Sequence, residues 1–232
     1  MNHTIWLWIG AVGMVLGTLP PLWRFVTDPE NRPYYALLTA VTGIAAVAYV
    51  VMALGLGSLR VGGEEIVAAR YVDWLLTTPL MVLYLGLLGR CGTRLYAALV
   101  GADVVVILGG VAADVLDGVA AAAAFGVATL AFCVLVYLLL VTVPRRVALR
   151  EECVVTFTKL RNLTVVLWSL YPVVWLLSGS GFGLLLPATE NVVVVYLDFI
   201  SKVGFVVMAV NGDRALDALE TVRLDGRTSR AD

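Results

Sequence analysis

The sequence predicts an all-α membrane protein, a bundle of seven transmembrane helices with the N-terminus outside and the C-terminus inside. Three observations carry this. Hydrophobic residues make up 61% of the 232 residues and charged ones 14%, with a mean hydropathy of +0.94, a balance foreign to a soluble domain of this length. Apolar segments long enough to cross a bilayer recur seven times, with short connections. The basic residues are one-sided. Of 16 lysines and arginines, thirteen fall in alternate loops and the C-terminal tail, and Arg60 alone falls in the other loops. Arg70 and Lys202 are left inside apolar segments.

The first helix, α1, is expected over residues 5–25. It is entered directly from Met1-Asn2-His3-Thr4, which has no basic leader, so it should remain uncleaved. Next come α2 at 34–56 and α3 at 67–88, with residues 58–65 between them forming a small hairpin around Gly62-Gly63. The remaining spans are α4 at 94–115, α5 at 118–143, α6 at 154–178 and α7 at 189–219. Gly179-Ser180-Gly181 breaks the chain after α6. One domain, 1–219, is followed by a polar tail, 220–232, expected to fray. Cys91, Cys133 and Cys153 are odd in number and have no metal-ligand spacing, so they read as small core residues. His3, at the chain end, reads as solvated, and no metal site is expected. The net charge of −1 says nothing about nucleic acid, and no basic run suggests it, so no nucleic-acid partner is expected.

The polar residues inside the spans need a reason. Lys202 lies within an apolar run, and an ammonium at mid-membrane costs about 3 kcal/mol or more. Asp198 stands one helical turn earlier on the same face. Two readings fit: a structural ion pair, or a desolvated amine ready to condense with an aldehyde as a Schiff base. In α3, Arg70, Asp73 and Thr77 share one face, which must look inward. The two cations and two carboxylates cancel if Lys202 keeps its proton. Asp103 on α4 is a further buried acid, expected to hydrogen-bond across helices in a structural role. Pro79 and Pro172 should kink α3 and α6. Trp168, Tyr171 and Trp175 form one stripe on α6, and Phe125 and Phe132 stand two turns apart on α5. Alone they read as bundle packing. Beside a Schiff-base lysine they read as walls of a slot for a long flat polyene, with Val106, Gly110 and Ala128 leaving room.

Together, the run from Arg70 to Pro79, the run from Arg161 to Trp175 and the run from Asp198 to Phe205 resemble the three motifs of the microbial (type I) rhodopsins, in the haloarchaeal branch. The likeness extends over all seven helices. It implies all-trans retinal bound as an imine to Lys202, in a multi-pass protein of the cell membrane that is a photoreceptor or transporter and not an enzyme. It implies Asp73 as counterion and proton acceptor, Asp198 as second counterion, and Thr77 bonded to Asp73. Tyr49, Trp74, Thr78, Met81, Val106, Phe125, Ala128, Phe132, Trp168, Tyr171 and Trp175 fall at pocket positions, and Ser201 directly precedes the lysine.

Within the family, Asp73 argues against a chloride pump. Proton pumps carry a carboxylate donor eleven residues after the acceptor, about 16 Å along the helix; here Tyr84 stands there. A phenol, ordinarily with a pKa near 10, is a poor donor at neutral pH. Tyr84, Val106, Phe125 and Phe132 resemble sensory rhodopsin II, the phototaxis receptor. Glu190 matches one of the two glutamates at the pumps' release site, with Ser180 near the other's place. Tyr196 faces away from Asp198, as an interfacial aromatic or, by the resemblance, as a contact for a two-helix, methyl-accepting membrane transducer. Ser201 stands where sensory rhodopsin II has threonine, which resembles the middle rhodopsins. The implied function is light sensing for phototaxis, with a light-driven outward proton pump, or a weakly pumping middle rhodopsin, as the alternative. A homo-oligomer is compatible with either.

Overall fold

A computed structural model describes residues 3–61, 64–147 and 151–212. Seven of its helices are long and apolar enough to cross a membrane. The first, α1 (His3–Thr27), is followed by α2 (Arg32–Ala53), which Pro33 starts within its first turn, where a missing N–H costs nothing. Strands β1 (Leu59–Val61) and β2 (Glu64–Ile66) pair antiparallel, with Leu59 opposite Ile66, giving the expected hairpin. Helices α3 (Ala68–Leu88) and α4 (Thr93–Val115) come next. Gly118–Tyr137 begins α5, which continues through a π-helical turn at Leu138–Thr142 into Val143–Val147.

Helix α6 is made of Glu151–Trp168 and Leu170–Leu177, interrupted at Ser169. Pro172 has no N–H to give the Trp168 carbonyl one turn earlier, and the interruption falls beside that carbonyl. Pro79 leaves α3 unbroken. There the hydroxyls of Thr77 and Thr78 donate to the carbonyls of Asp73 and Trp74, at 2.7 and 2.8 Å, and give the helix side-chain ties around the proline. Helix α7 runs Pro187–Phe199, then a π turn at Ile200–Gly204, then Phe205–Val210. It ends at Val210, short of the expected limit. Residues 213–219 and the tail 220–232 lie outside the described residues.

The apolar surface is divided as a lipid solvent demands. Large residues such as Leu130 on α5 and Val166 on α6 are exposed. The larger buried core joins residues of α2, α3, α6 and α7, among them Tyr35, Leu38, Leu85, Phe157 and Phe205, with α4 and α5 contributing Leu99 and Leu135. Three glycines let α1 approach closely: a Cβ on Gly10, Gly13 or Gly17 would lie 2.5, 2.4 or 2.7 Å from Tyr49, Phe199 or Val203. This small-residue stripe seats α1 against α2 and α7 and leaves the middle of α7 facing the centre of the bundle.

Candidate functional site: a buried lysine at the end of an aromatic cavity

Lys202 is 1% exposed and lies within the π turn of α7. An extra residue in one turn shifts the side chains that follow around the axis, and such turns gather at functional sites. The Lys202 Nζ donates to Oδ2 of Asp73 at 2.5 Å and lies 3.7 Å from Oδ1 of Asp198. Both acids are buried. The two carboxylates differ in how their oxygens are used. Tyr171 and Trp74 donate to Oδ1 of Asp198 at 2.7 and 2.9 Å, and Tyr49 donates to Oδ2 at 2.8 Å. Among the described residues Asp73 accepts one further side-chain hydrogen bond, a 3.4 Å donation from Thr77 to Oδ1. Asp198 is therefore held from α2, α3 and α6, while Asp73 keeps spare acceptor capacity beside the amine.

Arg70 is placed differently from the expected four-charge cluster. Its guanidinium donates to Asn191 at 2.7 Å, and among the described residues it makes no close ion pair. Asn191 has no charge to betray it in the sequence, and only the approach of α7 to α3 reveals it. Asp103 does bond across helices, accepting from the Thr78 hydroxyl at 2.8 Å. Ser201 donates to the Asp198 carbonyl at 3.2 Å and stands beside the Tyr171 hydroxyl.

A cavity of about 950 Å³ opens from Lys202. Of the expected pocket residues, Trp74, Thr78, Met81, Val106, Gly110 and Phe125 line it, as do Ala128, Phe132, Trp168, Tyr171, Trp175 and Ser201. Tyr49 does not; it sits behind Asp198 and acts on the carboxylate instead. Glu190 and Ser180 line the end of the cavity near the β hairpin. Tyr84 is buried and packs edge-on against Phe205, ring centroids 5.8 Å apart. Tyr196 is 64% exposed on the far side of α7.

Besides Asn191, a further residue of this region was not anticipated. Asp114, in the last turn of α4, accepts from the Tyr71 hydroxyl and, at 2.6 Å, from the Trp175 indole N–H. Its position near a helix end gave no reason to look inward, and both donors come from other helices.

The cavity suits a long apolar chromophore. It falls within the range of about 300–1,000 Å³ common for ligand pockets. Its walls are mostly rings and aliphatic groups, with the charged side chains gathered near the hairpin end and around Lys202; a Cβ on Gly110 would meet nothing within 4 Å.

A seven-helix membrane bundle with such a cavity and a lysine between two carboxylates is the arrangement of a retinal-binding membrane protein. The comparisons agree. The family described as bacteriorhodopsin-like protein matches residues 1–216. Sensory rhodopsin-2 of Natronomonas pharaonis is 42% identical over 231 residues, covering 98% of this chain and 94% of that one. The Bacteriorhodopsin-II-like protein of Haloquadratum walsbyi is 41% identical over 228 residues, covering 94% and 93%. The crystal structure of thermophilic rhodopsin from Rubrobacter xylanophilus superposes with a TM-score of 0.90 at 37% identity, covering 94% of this chain and 99% of that one. The chain belongs to the bacteriorhodopsin-like family, the microbial rhodopsins, and is similar to sensory rhodopsin II of the haloarchaea.

Proposed function

We propose that the protein senses light for phototaxis and signals to a two-helix membrane transducer of the methyl-accepting type. The observation that carries this reading is Tyr84. At the position eleven residues beyond Asp73, a buried phenol packs on Phe205, three residues past Lys202. Identity alone does not decide the function, since relatives named sensory rhodopsin and bacteriorhodopsin-II-like match this chain almost equally. The choice falls to single side chains.

All-trans retinal, carried on the Lys202 nitrogen, supplies light absorption and an isomerisation. This chain's residues do the rest. Asp73 Oδ2 is the acceptor for the proton on Lys202 Nζ, because it is the nearer oxygen and the less occupied one. Asp198, already accepting from three side chains, stays as the fixed negative partner. Moving the proton cancels the Lys202–Asp73 charge pair between α3 and α7. Tyr171 joins α6 to Asp198, so a change at the lysine reaches α6 directly. The break at Ser169 gives α6 a place to yield. Return of the proton past Tyr84 is slow, and the signalling state lasts.

Orientation follows from the one-sided basic residues, with the β-hairpin end outside and the C-terminus inside. Tyr196, exposed on α7, is the contact offered to the transducer, and the Ser201 hydroxyl beside Tyr171 is the local link to α6. Flash photolysis of the retinal-loaded protein tests the reading. Dark recovery over hundreds of milliseconds supports the receptor, whereas millisecond recovery with sustained proton export from vesicles assigns the protein to the pumps.

A further inference from the structure

Asp114 is a carboxylate that the charge transfer at Lys202 does not use. It is half-buried, lines the hairpin end of the cavity, and takes both its side-chain donors from other helices, Tyr71 on α3 and Trp175 on α6. The groups facing this corner are Arg70 on α3 and Glu190 on α7, and Arg70 is already directed to Asn191.

Trp175 belongs to the segment Leu170–Leu177, in which no residue is fully buried. Its ring stacks on Phe125 of α5, centroids 4.3 Å apart and planes 15° apart. Stacking sets the tilt of an indole but lets it slide in its own plane. A hydrogen bond from the indole N–H to a carboxylate is directional, and it selects which edge of the ring faces which way. Among the described residues, the side-chain hydrogen bonds from this segment to other helices are Tyr171 to Asp198 and Trp175 to Asp114. The first ties the segment at the lysine, the second at the hairpin end. On the other oxygen, Tyr71 packs edge-on against Trp74, centroids 5.5 Å apart, so two facing walls are referred to one carboxylate.

We infer that Asp114 is the positioning residue of the cavity's hairpin end: it locks Trp175 against Phe125 and so sets the shape in which the chromophore is held. The inference rests on the retinal-pigment reading. It predicts which substitutions reproduce one another. Asp114→Leu removes both acceptors at similar volume, and the visible band shifts. Asp114→Asn keeps an oxygen for the indole, and a tyrosine hydroxyl can turn to accept from the amide, so its band lies nearer the unsubstituted protein than the leucine variant. In a Trp175→Phe background, Asp114→Leu adds less than its shift as a single variant, because of its two ties only the one to Tyr71 is left to lose.

The experiment is to load the unsubstituted protein, the three single variants and the double variant Asp114→Leu/Trp175→Phe with all-trans retinal and record their visible spectra. An unshifted Asp114→Leu band overturns the inference. So does an asparagine variant shifted as far as leucine, or an additive double variant. A colourless unsubstituted protein instead strikes the pigment reading itself. The Raman indole marker of Trp175, assigned by its loss in Trp175→Phe, needs no substitution at Asp114. A strongly hydrogen-bonded N–H supports the lock and a free N–H overturns it.

Discussion

Lys202 Nζ lies 2.5 Å from Oδ2 of Asp73, a residue on another helix, and 3.7 Å from Asp198, its neighbour one turn away on its own helix. The preference for the distant residue in sequence follows from the environment of the near one. Three donors hold the Asp198 oxygens, and the π turn carries Lys202 toward α3.

Asp73→Asn removes the nearer charge and leaves Lys202 with one carboxylate at the longer distance. Breaking a buried pair by deleting one partner costs about 3–5 kcal/mol. The variant should melt well below the unsubstituted protein, and flash photolysis should show no deprotonation of the Lys202 nitrogen. A normal proton transfer in Asp73→Asn would assign the acceptor role to another group.

Tyr49→Phe and Tyr171→Phe each delete one donor to a buried carboxylate at nearly constant volume. A hydrogen bond to a charged group contributes about 1.5–3 kcal/mol. Each variant should lose stability by about that much, and the pair should be non-additive because they share Asp198. Thermal unfolding in detergent, followed by circular dichroism, reads both effects.

Gly10→Ala tests the same contact from the opposite side. The new Cβ would stand 2.5 Å from two atoms of the Tyr49 ring, so the ring must shift and its hydrogen bond to Asp198 is disturbed. Overpacking of this kind costs about 1–3 kcal/mol. The variant should therefore resemble Tyr49→Phe in pigment colour, although a single methyl group has been added on a different helix. An unchanged spectrum would show that Tyr49 does not need its present position.

Much of this was legible in the sequence, for identifiable reasons. Spans are legible because lipid enforces length and apolarity with few exceptions, and the helix face of Arg70, Asp73 and Thr77 because spacing fixes it. Partners on other helices are not legible by spacing. Thr78 as the donor to Asp103, Asn191 as the acceptor for Arg70, and Asp114 between Tyr71 and Trp175 all required the packed bundle. The π turn at Ile200–Gly204 has no proline to announce it. Tyr49 was expected in the cavity wall from the family resemblance, yet its ring lies behind Asp198.

Tyr84→Asp places a carboxylate where the phenol packs on Phe205. If slow return of the proton is set by that phenol, recovery should accelerate about tenfold or more, equivalent to lowering the barrier by about 1.4 kcal/mol. Flash photolysis at neutral pH measures it. Unchanged recovery would place the slow step elsewhere and remove the observation that favours a receptor.

The most direct measurement is the visible spectrum of the purified protein after addition of all-trans retinal, repeated with Lys202→Ala. The account predicts a visible band that forms with the unsubstituted protein and is absent in the variant. A protein that stays colourless, or a band that persists without Lys202, would contradict it.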